Sequence, residues 1–478
     1  MSNWLNRREV LASCGGAFGT LALRGMLGQA AAAESISAPA AGRLRDPLAV
    51  QMPHFAARAK SVIFLFMYGG PSHLDLFDPK PALAKYAGEP IPVFRPEDVF
   101  RKGSRNVALP SPYQFAKHGK AGIDIAETYP HLAQVADELC VIRSMRAESN
   151  NHGPALFQMQ TGSLLSGRPS MGSWASYGLG TENENLPGFV VMMDHQGAPV
   201  NGAMNWSNGF MPAAYQGVPF RTAGDPIAYL QPPAGITREQ QRARLDLLAR
   251  WNERHRAGKA DEAALSARIA SYELAFRMQT EATEAVDLDT EPEHVRKLYG
   301  LDHKVTAHFG KNCLLARRLV ERGVRFVQIY SGGNEGPKAW DAHDDIKKNH
   351  DLHCQETDLP IAGLLRDLKA RGLLDSTLVI WGGEFGRTPF AEDGKGRDHH
   401  AQAFTMWLAG GGIRGGTGYG ESDDFGYHVA RDPVTVPDLH ATCLHLLGLD
   451  HTRLTYPHLG RDYRLTDVSG TVLHHLIA

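Results

Sequence analysis

The sequence predicts an α/β fold in which a doubly wound, mostly parallel sheet carries helices on both faces. Short, almost wholly apolar runs indicate strands with two buried faces, and helical patterns separate several of them. The hydrophobic fraction of 43% and the charged fraction of 21% are ordinary for a globular protein with a sizeable core. The predicted strands are SVIFLFM at 61–67, LCVIRSM at 139–145, FVVMM at 189–193, VRFVQIY at 324–330, TLVIWGG at 377–383 and FTMWLAGG at 404–411.

The N-terminal segment predicts export. Arg7 and Arg8 precede a mild Gly/Ala/Leu stretch that ends in a run of alanines, which is typical of a twin-arginine signal peptide. We expect a signal peptide over 1–33, an Ala/Pro/Arg-rich linker over 34–58 and the folded domain over 59–478. A periplasmic or secreted location follows, with the twin-arginine export machinery as a partner. No later run approaches the ~20 apolar residues of a membrane-spanning helix, so we expect no transmembrane anchor in the mature chain.

Two helical segments accompany the strands. Residues 355–372 carry apolar side chains at helical spacing and end in Gly, which predicts a helix packed on the sheet. The charged stretch beginning TREQQRARLDLLARW predicts an inserted helical segment over about 237–300, with a capping box between Thr237 and Gln240. We expect a hairpin at the edge of the sheet. A basic helix that binds a partner is the alternative, and evenly interleaved acidic residues argue against it.

The net charge and the cysteine spacing argue against nucleic-acid binding and cysteine-based sites, whereas the histidine content favours metal binding. The net charge of −2 offers no basic footprint, so we expect no nucleic-acid partner. The 22 histidines crowd the C-terminal half, and neutral imidazole is a common metal ligand. The five cysteines lack a Cys-x-x-Cys pair, which disfavours a zinc ribbon or a thioredoxin-type site.

Candidate site residues lie next to the ends of several predicted strands. Open α/β sheets bind ligands outside the carboxyl ends of their strands. Oxygen and nitrogen donors without thiolates suit a divalent metal: zinc, manganese, magnesium or calcium. Each residue alone could be a helix cap or a surface charge, but their recurrence behind three strands indicates a site. The candidates are His73 and Asp75 after the first strand, Asp341 and His343 after VRFVQIY, Glu384 and Arg387 after TLVIWGG, and His399 before the last strand.

The stretch NNHGPALFQMQTG at 150–162 places a histidine before a helix. Pro154 suits the first turn of a helix, because its missing N–H has no partner there. We therefore expect a helix over about 154–161 with His152 at its N-terminus, where helix N–H groups attract anions. An ordinary loop histidine is the alternative for His152.

Several long motifs resemble the secreted bacterial family DUF1501. They are GGPSHLDLFDPKP, NNHGPALFQMQTG, WDAH, GLLDSTLVIWGGEFGRTP, GRDHHAQAFTMWLAGGGIRGG and VPDLHATCLHLLGLD, and the resemblance covers roughly residues 60–470. That family is placed in the alkaline phosphatase/sulfatase superfamily. The resemblance therefore implies an alkaline phosphatase-like sheet with one or two metals, which hydrolyses phosphate or sulfate esters.

The match to the superfamily pattern is uneven at the reacting groups. Glu384 stands where sulfatases have a metal-binding Asp, and Phe385 replaces the next ligand. Tyr68 replaces the usual Asp after the first strand, so His73 or Asp75 would have to reach the metal.

The place of the covalent nucleophile falls on His152, counted back from the Thr-Gly that ends the segment. No hydroxyl or thiol therefore stands where the superfamily attacks its substrate. His152 would be a metal ligand, a direct nucleophile or a base that activates water.

These observations predict an exported metal-dependent hydrolase of phosphate or sulfate esters that acts through metal-activated water. Arg387 would neutralise charge that develops on the ester oxygens. The substrate would be an anionic ester, with sulfated or phosphorylated glycans as candidates. The alternative is a non-catalytic surface or ligand-binding protein that keeps the fold. The metal ligands would be Asp341, His343, Glu384 and His399, with His73, Asp75 and His152 completing the site.

The last helical pattern, VPDLHATCLHLLGLDH, predicts a helix that packs on the sheet. Asp438 lies at its start and Gly448 at its end. His440 and His445 are five residues apart and do not share one face, so we expect both to be structural.

Overall fold

The computed structural model describes residues 47–93, 95, 106–221, 226–227, 235–256, 263–334, 336–392 and 394–478. The predicted signal peptide and the first part of the predicted linker lie outside these residues. From residue 47 the chain runs along the domain, where the amides of Gln51 and His54 donate to the carbonyls of Leu179 and Gly448 at 2.9 and 2.8 Å. Within the described ranges, no helix combines the length and apolarity that crossing a membrane requires.

The strands include all six that the apolar runs predict. In chain order they are β1 (Ser61–Met67), β2 (Phe115–His118), β3 (Ile123–Ala126), β4 (Leu139–Arg146), β5 (Phe189–Met192), β6 (Val218–Phe220), β7 (Phe326–Ser331), β8 (Thr377–Gly382), β9 (Gly386–Ala391), β10 (Arg397–His400), β11 (Phe404–Ala409), β12 (Thr417–Tyr419), β13 (Glu421–Ser422), β14 (Val429–Arg431), β15 (Val434–Thr435), β16 (Tyr456–His458) and β17 (Arg461–Tyr463).

The central sheet has nine strands in the order β12-β4-β11-β8-β1-β7-β5-β6, with β15 also paired to β4. β1 lies in its middle and pairs in parallel with β7 and β8, so that Val62 stands opposite both Phe326 and Leu378. β11 runs antiparallel to β4 and β8, whereas the other pairs of this sheet are parallel. The predicted mostly parallel sheet is confirmed.

Ten α-helices surround or flank the sheet within the described residues. In chain order they are α1 (His73–Leu76), α2 (Pro81–Lys85), α3 (His152–Thr161), α4 (Met171–Leu179), α5 (Arg238–Arg256), α6 (Ala263–Val286), α7 (Glu293–Leu298), α8 (Ala307–Glu321), α9 (Ile346–Ala370) and α10 (Val436–Leu446).

Both faces of the sheet are buried. Alternate residues of β1 belong to different cores, with Phe64 and Phe66 on one side and Ile63 and Leu65 on the other. Helices α3, α4 and α10 supply apolar side chains to the first core, and α6, α8 and α9 supply them to the second. This arrangement confirms the predicted doubly wound α/β class, because strands with two covered faces must be apolar throughout.

Three predicted helices differ in detail. The helix expected over 355–372 is α9, which begins earlier, at Ile346, where the Asp345 side chain caps the amide of Lys348. Its first turns bury histidines rather than aliphatic residues, so the sequence there has no apolar residues at helical spacing to indicate a helix. α3 begins at His152 with Asn151 as its N-cap. α5 and α6 form the helices of the predicted insertion, and Gln240 and Thr237 bond each other's backbone amides.

His440 on α10 has a structural role. Its fully buried ring donates from Nε2 to the carbonyl of Met159 on α3 at 2.9 Å. Burial lowers the pKa of His440 to about 4, so the ring is neutral and joins two helices of one face.

Candidate metal centre

A cluster of polar side chains lies at the carboxyl edge of the parallel strands. Asp341 and His343 come from the loop after β7, Glu384 follows β8, and His152 opens α3 beyond the end of β4. His399 arrives on β10, which pairs with β9 as a separate two-stranded hairpin. The location agrees with the expectation for ligand sites in open α/β sheets.

Close backbone packing fixes the loops that carry the cluster. The amide of Trp340 donates to the carbonyl of Tyr68 at 2.8 Å, which ties the Asp341 loop to the end of β1. Gly69 has a φ of +114°, and a Cβ built there would lie 2.6 Å from the Trp340 nitrogen. Only glycine allows this approach without displacing the loop.

Three imidazole nitrogens converge on one carboxylate oxygen. Oδ1 of Asp341 lies 2.9 Å from Nε2 of His343, 3.0 Å from Nε2 of His399 and 3.3 Å from Nε2 of His152. The Nε2 atoms of His343 and His399 are themselves 2.9 Å apart. Ligands about 2.1 Å from a tetrahedral zinc ion are separated by about 3.4 Å, so these spacings are close to the edges of a coordination polyhedron.

The opposite nitrogen of each ring faces an acceptor. Nδ1 of His152 donates to Oε1 of Glu384 at 2.6 Å, and Nδ1 of His399 donates to the carbonyl of Asn150 at 2.8 Å. Nδ1 of His343 donates to the carboxylate of Glu392. Protons assigned to Nδ1 in this way leave the Nε2 lone pairs pointing into the cluster, as in metal-binding histidines.

The donor set fits a cation. Four acceptor atoms at these separations repel one another unless a cation or protons lie between them. Nε2 of His152 is buried and makes no hydrogen bond among the described residues, although Asp341 lies beside it. An inward-facing lone pair without a donor is what a bound metal would use.

The charge state of the cluster follows from burial and from its neighbours. Although burial opposes ionisation, the Arg387 guanidinium and the three rings hold the pKa of Asp341 well below its usual range. Burial would lower the pKa of His152, but the carboxylates of Asp341 and Glu384 beside the ring raise it to about 9. Burial and Arg387 keep the pKa of His399 well below its usual value, so this ring is neutral. A proton on His152 and a metal ion therefore compete for the same place.

Arg387 positions Asp341 and is engaged entirely within the protein interior. Its fully buried guanidinium donates to Oδ1 of Asp341 at 2.6 Å and to the carbonyls of Gly70 and Arg397 at 2.9 and 3.0 Å. Further donations go to the carbonyl oxygens of Gly69 and Trp340. The sequence-based expectation that Arg387 contacts the ester oxygens is therefore corrected, because its N–H groups are already engaged.

Glu384 also differs from its predicted role. It is completely buried, and its carboxylate accepts from Nδ1 of His152 and from the amide of Gly69 at 3.0 Å. The carboxylate therefore orients the His152 ring from behind, and Nε2 of His152 rather than Glu384 faces Asp341.

His73 and Asp75 are not brought into the cluster. Asp75 forms a completely buried ion pair with Arg397, at 2.8 Å from its Nε, and Nε2 of His73 donates to the carbonyl of Gly426 at 3.0 Å. Both lie in α1, which turns away after β1. Their predicted role as ligands is corrected, because Asp75 pairs with Arg397 and the His73 ring is held at the carbonyl of Gly426, away from the cluster.

The structure adds two residues to the neighbourhood. His343, Glu392 and Asp398 form a second group whose donor atoms lie within 4.8 Å of one another. Asp398 precedes His399 in GRDHH, a signal that was visible in the sequence. Glu392 follows the end of β9, but that short strand has no apolar run by which the sequence could have shown it.

A third group, Asp194, His195 and His308, lies beyond the end of β5. Nε2 of His308 accepts the backbone amide of His195 at 3.1 Å, which uses the lone pair of that neutral ring. We assign this group no metal, because a ligand nitrogen needs that lone pair.

Asp341 also lines a cavity of about 130 Å³ together with Asp344, Asp345 and Lys348. The side chains of His343 and Asp341 are 20% and 10% exposed, so solvent reaches part of the cluster.

Comparison with solved structures gives distant similarities. The PsFucS1 sulfatase from Pseudoalteromonas sp. is 13% identical with a TM-score of 0.35, over 82% of this chain and 68% of that one. The lipoteichoic acid synthase LtaP from Listeria monocytogenes is 10% identical with a TM-score of 0.36, over 84% and 77%. An alkaline phosphatase superfamily protein from Vibrio parahaemolyticus is 11% identical with a TM-score of 0.35, over 88% and 73%. Similarity at this level does not assign an activity.

Comparison of sequences identifies the family. No curated protein matches the chain. Residues 59–477 match the family described as "Protein of unknown function (DUF1501)", which spans the whole described domain from the start of β1. The chain therefore belongs to the DUF1501 family.

Proposed function

We propose that this protein is an exported, metal-dependent hydrolase of phosphate or sulfate esters. The observation that carries the proposal is the convergence of Nε2 from His152, His343 and His399 on Oδ1 of Asp341. Imidazole nitrogens with one carboxylate favour zinc over manganese, magnesium or calcium, which prefer oxygen ligands.

His152, Asp341 and His399 would hold the metal, with His343 beside them. A bound divalent metal supplies Lewis-acid stabilisation of negative charge on the ester. The chain itself fixes the ligands: Arg387 holds Asp341 at 2.6 Å, and Glu384 holds His152 at 2.6 Å. This preorganisation supports catalysis because no side chain has to reorient when charge develops.

The proposed attacking group is water. His152 occupies the place of the superfamily's covalent nucleophile, but its Nδ1 donates to Glu384 and its Nε2 faces Asp341. A ring held in this way binds and orients and does not present a free attacking atom. Direct hydrolysis without a covalent seryl intermediate follows.

The proposed substrate is an anionic ester, with sulfated or phosphorylated glycans as candidates. Lys348 is the one cation among the described residues that line the cavity next to Asp341, and a bound metal would supply the further positive charge that an anionic group needs beside Asp344 and Asp345. Delivery by the twin-arginine machinery and a periplasmic or secreted location belong to this proposal, and the Arg7–Arg8 pair supports them.

The second candidate is a metal-binding protein without hydrolytic activity. Arg387 favours it, because the guanidinium closest to the cluster is fully buried and engaged by backbone carbonyls and Asp341. The substitution of Phe385 for a ligand of the superfamily pattern points the same way.

The test combines metal analysis with an activity screen on the purified protein. We expect a stoichiometric transition metal, and hydrolysis of 4-nitrophenyl phosphate, bis(4-nitrophenyl) phosphate or 4-nitrocatechol sulfate with the matching metal. His399→Ala removes both, whereas His303→Ala, at a side chain 69% exposed and outside the cluster, changes neither. Bound metal without hydrolysis selects the second candidate. Protein that binds no metal under any of these conditions overturns both.

A further inference from the structure

Helix α5 carries a stripe of exposed side chains along one face. Gln240, Arg244, Leu247, Trp251 and Arg254 follow one another at spacings of four and three residues, which places them on one side of an α-helix. All five are exposed, including Leu247 at 43% and Trp251 at 59%. A tryptophan exposed to this extent at the centre of a helix face is unusual in a folded domain.

The opposite side of α5 packs on α6. Arg242 donates to both carboxylate oxygens of Glu273 at 2.7 and 2.8 Å, and the guanidinium groups of Arg238 and Arg242 lie over the Phe276 ring. The stripe therefore points away from the hairpin partner.

Two acidic residues of the helix lie off the stripe. Asp246 pairs with Arg242 at 2.8 Å, and Glu239 lies in the first turn of the helix. These two carboxylates therefore belong to the side of the helix that faces Arg242, and Glu253 is the remaining acidic residue of α5.

The stripe has an uncompensated positive charge. Arg250 lies at its border, and its Nε donates to the backbone carbonyl of Asp246 at 3.3 Å. Among the described residues, no carboxylate pairs with Arg244, Arg250 or Arg254. Three guanidinium groups thus surround Leu247 and Trp251.

We propose that this face of α5 docks on the surface of an anionic lipid bilayer. A helix with apolar and aromatic residues between arginines lies in the membrane plane, where the ring enters the headgroup boundary and the guanidinium groups contact anionic lipids. A soluble polyanion would satisfy the arginines but leave Leu247 and Trp251 in water, so the bilayer surface accounts for more of the stripe. This inference is independent of the metal centre.

The test uses the full chain with vesicles of phosphatidylcholine containing about 30% phosphatidylglycerol, and with phosphatidylcholine alone. We expect binding to the anionic vesicles, and quenching of Trp251 by lipids brominated on their acyl chains. The quenching is measured as the difference between the wild type and Trp251→Phe. The other described tryptophans are buried, so this difference reports on α5.

The combined variant R244Q/R250Q/R254Q should bind about 100-fold more weakly, at about fivefold per arginine, and should lose the Trp251 quenching. The charge-matched variant K85Q/K120Q/K395Q, at exposed lysines elsewhere, should behave as the wild type. Equal weakening in both triple variants, absence of Trp251 quenching, or binding to a sulfated polysaccharide without binding to vesicles overturns the proposal.

Discussion

Replacing Glu384 by Gln should weaken metal binding without unfolding the protein. Oε1 of Glu384 accepts from Nδ1 of His152 at 2.6 Å and from the amide of Gly69 at 3.0 Å, and a Gln oxygen can accept both bonds. The variant therefore keeps the geometry and loses the charge, which reduces a charge-assisted hydrogen bond to a neutral one. The loss is about 1.4–2.7 kcal/mol, and metal affinity should fall about 10- to 100-fold.

The assay is competition for the metal with a chelator of known affinity, together with the melting temperature of the metal-free protein. The melting temperature should change by less than about 3 °C, because His152 can give up its proton when its anionic partner is lost. Asp302→Asn, which removes a carboxylate beside the exposed ring of His303, is the control and should not change the affinity. Unchanged metal affinity in Glu384→Gln, or loss of metal accompanied by unfolding, refutes the assignment of Glu384 as the residue that orients His152.

Three further predictions follow from other parts of the structure. Removal of the metal by a chelator should destabilise the protein by about 2.7 kcal/mol when the free metal had been at 100 times its dissociation constant, seen as a lower melting temperature. The pKa of His440 is about 4 in the folded state against an ordinary 6.5, so the unfolded chain binds a proton first as the pH falls. The contribution of neutral His440 to the free energy of unfolding is complete above pH 6.5 and disappears towards pH 4, a loss of about 3 kcal/mol. Urea unfolding of the wild type should show this loss, and His440→Gln should reduce it. Asp75→Asn leaves the completely buried Arg397 without its counter-ion and should cost about 3–5 kcal/mol in urea unfolding; an unchanged midpoint would show that Asp75 does not hold this charge.

The fold was predictable wherever burial alone decides the structure. The six apolar runs occupy neighbouring positions from β4 to β5, because a strand with two covered faces needs apolar residues throughout. The short strands β9, β10, β12 and β15 lack such a run, since tertiary contacts and not hydrophobicity hold them. The early start of α9 was hidden for a related reason: His350 and His353 are fully buried there, and buried imidazoles carry no apolar period.

The site was predictable in its location but not in the division of roles. Asp341, His343 and Glu384 were identified because they follow the ends of predicted strands. That location does not show whether a carboxylate points into the cluster, as Asp341 does, or accepts a hydrogen bond from the far side of a histidine ring, as Glu384 does. Asp75 illustrates the limit. Its partner Arg397 is 322 residues away, so no local pattern showed that its charge is already compensated. His152 was singled out by its place before a predicted helix and then by the family pattern, and only the structure shows that its Nδ1 donates to Glu384 while its Nε2 faces Asp341.

Because β11 runs antiparallel to β8, the segment between these two strands begins and ends at the same edge of the sheet. β8 ends at the carboxyl edge of the parallel strands, and the antiparallel β11 starts from that edge. This single segment, residues 383–403, carries Glu384, Arg387, Glu392, Asp398 and His399. A change in the length of this segment would therefore shift His399 together with the residues that position Asp341 and His152, while the strand order stays intact.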